Sequence, residues 1–186
     1  MQYQFLHGLP QTSTEDLDVK EIETTKVIIE LVSSDLDFLF PLLRKFPKCY
    51  WIWNYRLWLL EESSKLLPTI DARQLWQQEL SFASKMLSMD NRNFHGWGYR
   101  RTVVAALEND SLHADGANHS MTEEEFKYTT RMIESNLSNF SAWHNRSKLI
   151  PRLLEERKAD DLARRSFLDQ GISIVLESYT SLTNSS

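Results

Sequence analysis

At 186 residues and a formal charge of −5, the chain has the size of one ordinary domain or a short repeat array. Gly and Pro number five each, about 5% of positions together where average usage is near 12%, which argues against an all-β sandwich, a glycine-rich nucleotide fold and a disordered tail. The mildly acidic balance removes the general electrostatic reason to bind nucleic acid, and the 41% apolar and 25% charged content fits a soluble helical protein.

In chain order, residues 1–18 are expected to fray. Asp and Glu begin at Glu15 and the first basic residue is Lys20, so there is no basic n-region of a signal peptide. No apolar run approaches the ~20 residues of a membrane span, and the expected compartment is the cytoplasm. A first helical hairpin is predicted at about 33–63, with Leu36, Leu42 and Leu43 on its first helix and Trp53, Arg56, Leu59 and Leu60 on its second. Cys49 stands at the N-cap of that second helix, a poor cap. It is also the only cysteine, which excludes an intramolecular disulfide and a thiolate zinc site and points to reducing surroundings. A second hairpin, about 76–108, carries Leu80, Ala83, Met86 and Leu87 at helical spacing, then Asn93 as an N-cap.

The polar stretch Glu108–Ser120 reads as a frayed loop. A third hairpin, about 122–153, opens on Thr122 and Glu125, spaced as a capping box. It continues through Phe126, Thr129, Met132 and Ile133 to an N-cap at Asn139. Residues 161–178, with Leu162, Leu168, Ile172 and Val175, look like the first helix of a fourth unit lacking its second, and 179–186 are expected to fray. The five histidines (His7, His95, His113, His119, His144) never stand at i, i+4 with a second ligand type, so no metal site is expected in this chain. The Arg164-Arg165 and Arg152/Arg157/Lys158 clusters read as solvated helix faces.

Three segments align on a tryptophan: Lys48–Arg56 on Trp53, Arg92–Arg100 on Trp97 and Ser138–Arg146 on Trp143, with anchors 44 and then 46 residues apart. Relative to each Trp, position −3 is Tyr50, Phe94 or Phe140, position +3 is Arg56, Arg100 or Arg146, and position −18 is Asp35, Glu79 or Glu125. Hairpins of ~45 residues stack because one alone cannot bury its apolar face. The Trp and Arg positions recur in every unit, so they read as architecture. An ion pair within each hairpin between the −18 acid and the +3 Arg is a further expectation.

The Asn-aromatic-x-x-Trp-x-x-Arg signature in hairpins of this length resembles the α-subunit repeat of protein prenyltransferases, over about residues 33–153. Pro47-Lys48-x-Tyr50, Asn93-Phe94-His95-x-Trp97-x-Tyr99-Arg100-Arg101 and Ser138-Asn139-Phe140-Ser141-x-Trp143-His144 look most like the type II, Rab-directed branch. In the α subunit shared by the farnesyl and type I enzymes, Gln usually follows the tyrosine matching Tyr50; Trp51 stands here. The resemblance implies an all-α fold, a right-handed α-solenoid of antiparallel hairpins, here cut within its array at both ends. It would wrap around a β subunit that holds the zinc and the lipid pocket, with no cofactor bound by this chain.

The implied activity is transfer of geranylgeranyl from its diphosphate to C-terminal cysteines of Rab GTPases, delivered by an escort protein. Lys48 matches the family lysine that contacts the prenyl diphosphate, where an ammonium would stabilise charge developing on the leaving group. By its residues alone it is a solvated lysine of a turn, beside Arg44 and Lys45. Tyr50 could donate a phenolic hydrogen bond into the same cleft, or serve as a core aromatic at the −3 position. His95 matches a rim histidine; Trp51 and Ser141 take its place in the other repeats, so the scaffold does not require it. Two other readings remain: a helical-repeat interaction scaffold without chemistry, and the farnesyl/type I α subunit.

Overall fold

The computed structural model describes residues 14–109, 112 and 120–183, and among them every regular element is helical. In chain order these are α1 (Thr14–Lys45), α2 (Tyr50–Leu66), α3 (Thr69–Met89), α4 (Phe94–Leu107), α5 (Thr122–Ser135), α6 (Phe140–Glu156) and α7 (Asp161–Thr183). α1 begins before residue 18 and α7 runs past residue 179, so helix extends into both stretches expected to fray. Residues 1–13 and 184–186, and 110–111 and 113–119 of the central loop, lie outside the described residues. The chain divides into two compact units, residues 1–75 and 76–186.

α1 and α2 form one hairpin, α3 and α4 a second, α5 and α6 a third, and each is closed by the same local chemistry. The amide of the residue before the second helix bonds back across a tight turn: Cys49 to the Phe46 carbonyl, Asn93 to Asp90, Asn139 to Asn136. The indole N–H of the anchor tryptophan then donates to a turn carbonyl six residues upstream. Trp53 reaches Pro47, Trp97 reaches Asn91 and Trp143 reaches Leu137, each at 2.9 Å. A buried indole needs such an acceptor, and a turn carbonyl left without a helical partner supplies it.

Asn93 and Asn139 cap as the sequence suggests. Their side-chain oxygens accept from the amides of Gly96 and Ala142 at 3.0 and 3.1 Å. Cys49 makes no side-chain cap. The capping box at Thr122 and Glu125 does not form. Met121 occupies the N-cap without a side-chain bond, and the groups of the box are engaged elsewhere. The Glu125 amide donates to the Met121 carbonyl at 2.9 Å, the Glu125 carboxylate accepts from Arg100, and the Thr122 hydroxyl donates to Glu156. The Met121 N–H donates to Glu108 Oε1 at 2.7 Å and the Thr122 N–H to Ser120 Oγ at 3.2 Å. Arg152 holds this arrangement, binding Glu108 at 2.9 Å and Glu156 at 2.8 Å. Arg157 pairs with Glu123 at 2.8 Å, so these two arginines are structural cross-links rather than merely solvated charge.

The core of the second unit gathers Leu87, Trp97, Tyr128, Ile133 and Ala142, edged by Met132, Leu137 and Trp143. Fully burying an aliphatic or Phe side chain contributes about 1.5–3 kcal/mol. Leu43 and Leu60, without exposed surface, form the corresponding centre between α1 and α2.

The arginines at +3 bridge helices, though not as expected. Arg56 Nη1 donates to the Leu36 carbonyl at 2.7 Å. Arg100 Nη1 reaches Ser84 Oγ at 2.7 Å on the first helix of its own hairpin. Its carboxylate partner is Glu125, which belongs to the next hairpin, with Nε–Oε2 at 2.9 Å and Nη2–Oε1 at 2.5 Å. The acid of its own hairpin, Glu79, accepts instead from the Tyr99 hydroxyl, as Asp35 accepts from Tyr55 at 3.0 Å. One residue along a helix turns the side chain by about 100°. Position +2 therefore addresses its own hairpin's acid, while Arg100, at +3, reaches the acid one repeat on.

Candidate functional site at the turn-side rim

Lys48 lies in the turn between α1 and α2, exposed, and among the described residues no hydrogen bond or ion pair engages its ammonium. The neighbouring basic residues differ. Lys45 lies over the Phe46 ring at 5.4 Å and Arg44 over Phe40 at 6.0 Å, both at the end of α1 where basic charge suits the helix terminus.

Behind Lys48 is the start of α2. Cys49 leaves its first-turn amides without the side-chain acceptor that Asn93 gives α4 and Asn139 gives α6. The Ile52 amide, equivalent to those of Gly96 and Ala142, is left with a 3.2 Å bond to the Cys49 carbonyl. An exposed ammonium beside an uncapped helix N-terminus favours an anion from two directions.

Tyr50 opens α2 with 53% of its surface exposed, its ring edge-on to Trp51 at 5.6 Å. The core alternative for position −3 is thereby overturned: Phe94 and Phe140, at the same position, are 77% and 74% exposed. The first residue of each second helix points away from the packed face, because the Trp three residues later takes the interior. Trp51 is exposed as well, at 76%.

His95, the second residue of α4, is half-buried and edge-on to Phe94 at 5.6 Å. It belongs to the second unit, whereas Lys48 and Tyr50 belong to the first. Position −5, held by Lys48 in the first repeat, carries Arg92 in the second. There Arg92 Nη2 donates to the Ser138 carbonyl at 2.7 Å. Among the described residues no group of three or more His, Cys, Asp or Glu is placed to hold a metal, and no helix is long and apolar enough to cross a membrane.

Sequence reasoning passed over two recurring contacts. One is the hydroxyl at −13, Ser84 or Thr130, which accepts from Arg100 or Arg146. The other is the tyrosine at +2 bound to the −18 acid. Both were detectable as recurrences in the Trp-anchored alignment, the second as a Tyr–acid pair 20 residues apart in two repeats.

The family described as "Protein prenyltransferase alpha subunit repeat" matches residues 32–63, 76–107 and 122–153, half of the chain. Among curated proteins, "Geranylgeranyl transferase type-2 subunit alpha" of Candida albicans is 49% identical over 79 residues, 42% of this chain and 20% of that protein. The protein of the same name from Saccharomyces cerevisiae is 45% identical over 92 residues, 50% of this chain and 25% of the relative. The one from Homo sapiens is 38% identical over 89 residues, 46% and 14% respectively. The chain thus spans a quarter or less of the length of these relatives.

Proposed function

Because this chain belongs to the protein prenyltransferase α-subunit repeat family, we propose that it acts as α-subunit material of a type II protein geranylgeranyltransferase. Its partner would be a β subunit. That subunit would supply the zinc and the lipid pocket, and the pair would transfer geranylgeranyl from geranylgeranyl diphosphate to C-terminal cysteines of Rab GTPases presented by an escort protein in the cytoplasm. The names of the relatives support the type II branch, and Trp51 in place of Gln supports it from the sequence.

The observation that carries a chemical role is the anion-favouring turn at Lys48. Breaking the prenyl C–O bond leaves the electron pair on the diphosphate, so negative charge grows there along the reaction. An ammonium already in place stabilises that charge more in the transition state than in the ground state. Tyr50, exposed two residues on, would donate its phenolic hydroxyl to a diphosphate oxygen at the same helix start. His95 would line the cleft rim.

A scaffold role without chemistry draws support from Arg92, since the same turn position in the second repeat serves a structural bond. Co-expression with prenyltransferase β subunits, followed by a Rab prenylation assay, separates the two. Transfer by the purified complex supports the enzyme. A stable complex without transfer, under conditions in which a full-length α subunit is active, supports the scaffold.

A further inference from the structure

Arg100 and Arg146 stand at the same repeat position but are completed differently. Glu125, the carboxylate gripped by Arg100, lies 25 residues further along the chain. The same count from Arg146 arrives at Gly171 on α7, where a Cβ added to the backbone would meet no heavy atom within 4 Å. Arg146 is half-buried. It donates to the Thr130 hydroxyl, and its guanidinium lies 3.8 Å from the centroid of the Phe126 ring. Among the described residues it has no carboxylate within ion-pair distance. Burial lowers its pKa and the nearby Glu134 carboxylate offsets this only in part, though a guanidinium stays protonated at neutral pH.

Next to this guanidinium a cleft of about 220 Å³ opens between α6 and α7, walled by Trp143, Ile150, Phe167, Leu168 and Ile172, with Gly171 at its side. A recess of about 40 Å³ lined by Arg146 and Gly171 adjoins it, with Glu134 also on its wall. An apolar cleft with a few fixed polar groups, here Arg146 and Ser147, is the ordinary form of a small-molecule site. An arginine fork matches a carboxylate better than any other common anion except phosphate, and the apolar walls disfavour the more highly charged phosphate.

We propose that the cleft between α6 and α7 binds a small carboxylic acid with an apolar body, its carboxylate taking on Arg146 the place that Glu125 takes on Arg100. At ~30 Å³ per water-sized group, the volume holds roughly seven such groups, which suits a body of about six carbons. Hexanoate is therefore the probe, and hexanamide, of the same shape without charge, is the control.

Ligand-observed NMR titrations would be run on the full chain, its Gly171→Glu variant and its Arg146→Met variant. Gly171→Glu supplies a carboxylate from the chain itself, so it should raise the melting temperature and weaken hexanoate at least tenfold. It also keeps the test valid if Arg146→Met fails to fold. Hexanamide should bind the parent at least tenfold more weakly than hexanoate. Equal binding of acid and amide, unchanged hexanoate binding in Gly171→Glu, or no binding by the folded parent at tens of millimolar would each overturn the proposal.

Discussion

Inside the hairpins one set of contacts is made three times. An indole N–H closes each turn at 2.9 Å, and an arginine at +3 ties the second helix to the first through Leu36, Ser84 or Thr130. At the turn-side rim the shared feature is only an exposed aromatic at −3. Around it, no hydrogen bond or ion pair engages Lys48 among the described residues, Arg92 is bonded to Ser138, and Cys49 stands where the other hairpins have asparagine. Repetition marks what every unit needs in order to fold. Its absence at the rim marks where residues are free to serve a task performed once.

The largest expected effect lies in the interior. Arg100→Ala leaves the buried Glu125 carboxylate without its counter-charge, and loss of one partner of a buried pair costs about 3–5 kcal/mol. Urea unfolding of the variant should show this loss. A change below 1 kcal/mol would place Arg100 among dispensable residues and erase the contrast with the rim.

A smaller effect tests the rim itself. Cys49 has φ −77° and ψ 101°, close to the −63° and 108° of Asn93, so an asparagine would fit the backbone there without strain. Cys49→Asn should therefore stabilise the hairpin by about 0.5–1 kcal/mol through the missing cap. The same change should weaken diphosphate binding by the assembled enzyme, since the new side chain competes for the amides. A gain in stability with unaltered diphosphate affinity would detach the helix start from the proposed site.

The smallest effect concerns Glu156. Burial pushes its carboxyl up, but bonds from Ser120, Thr122 and Arg152 outweigh this and hold it below the usual carboxylate value. A lowered folded pKa gives stability that is complete above the unfolded value, about 4.3, and lost as pH falls through the folded one. Glu156→Gln should remove part of the parent's stability loss between pH 7 and pH 3, read from urea midpoints at both pH values. Identical pH slopes would contradict the cause assigned to this shift.

Much of this was legible in the sequence. The helices, the Trp anchors and the asparagine caps each follow from local chemistry that a spacing reveals. What the sequence did not disclose is long-range. The capping box at Thr122 loses to Ser120, which takes the Thr122 amide, and to Arg100 of the preceding hairpin, which takes the Glu125 carboxylate. The partner of Arg100 lies one repeat on, because pairing depends on which way +3 points once helices pack. The −3 aromatics resemble core residues by composition alone, and only the direction of the first residue of each helix shows that they face outward.

The most direct test of the functional account is single-turnover prenyl transfer by preassembled complex, comparing Lys48→Ala with Lys45→Ala. Both variants lose one positive charge, so a general loss of potential affects them alike. Complex formation should survive in both, since neither side chain belongs to the Trp/Arg framework. If Lys48 stabilises the departing diphosphate, its removal slows transfer about 10- to 1,000-fold, as for loss of one charge-stabilising donor, while Lys45→Ala stays near the parent rate. Equal rates for parent and both variants would take Lys48 out of the reaction and leave this chain as scaffold.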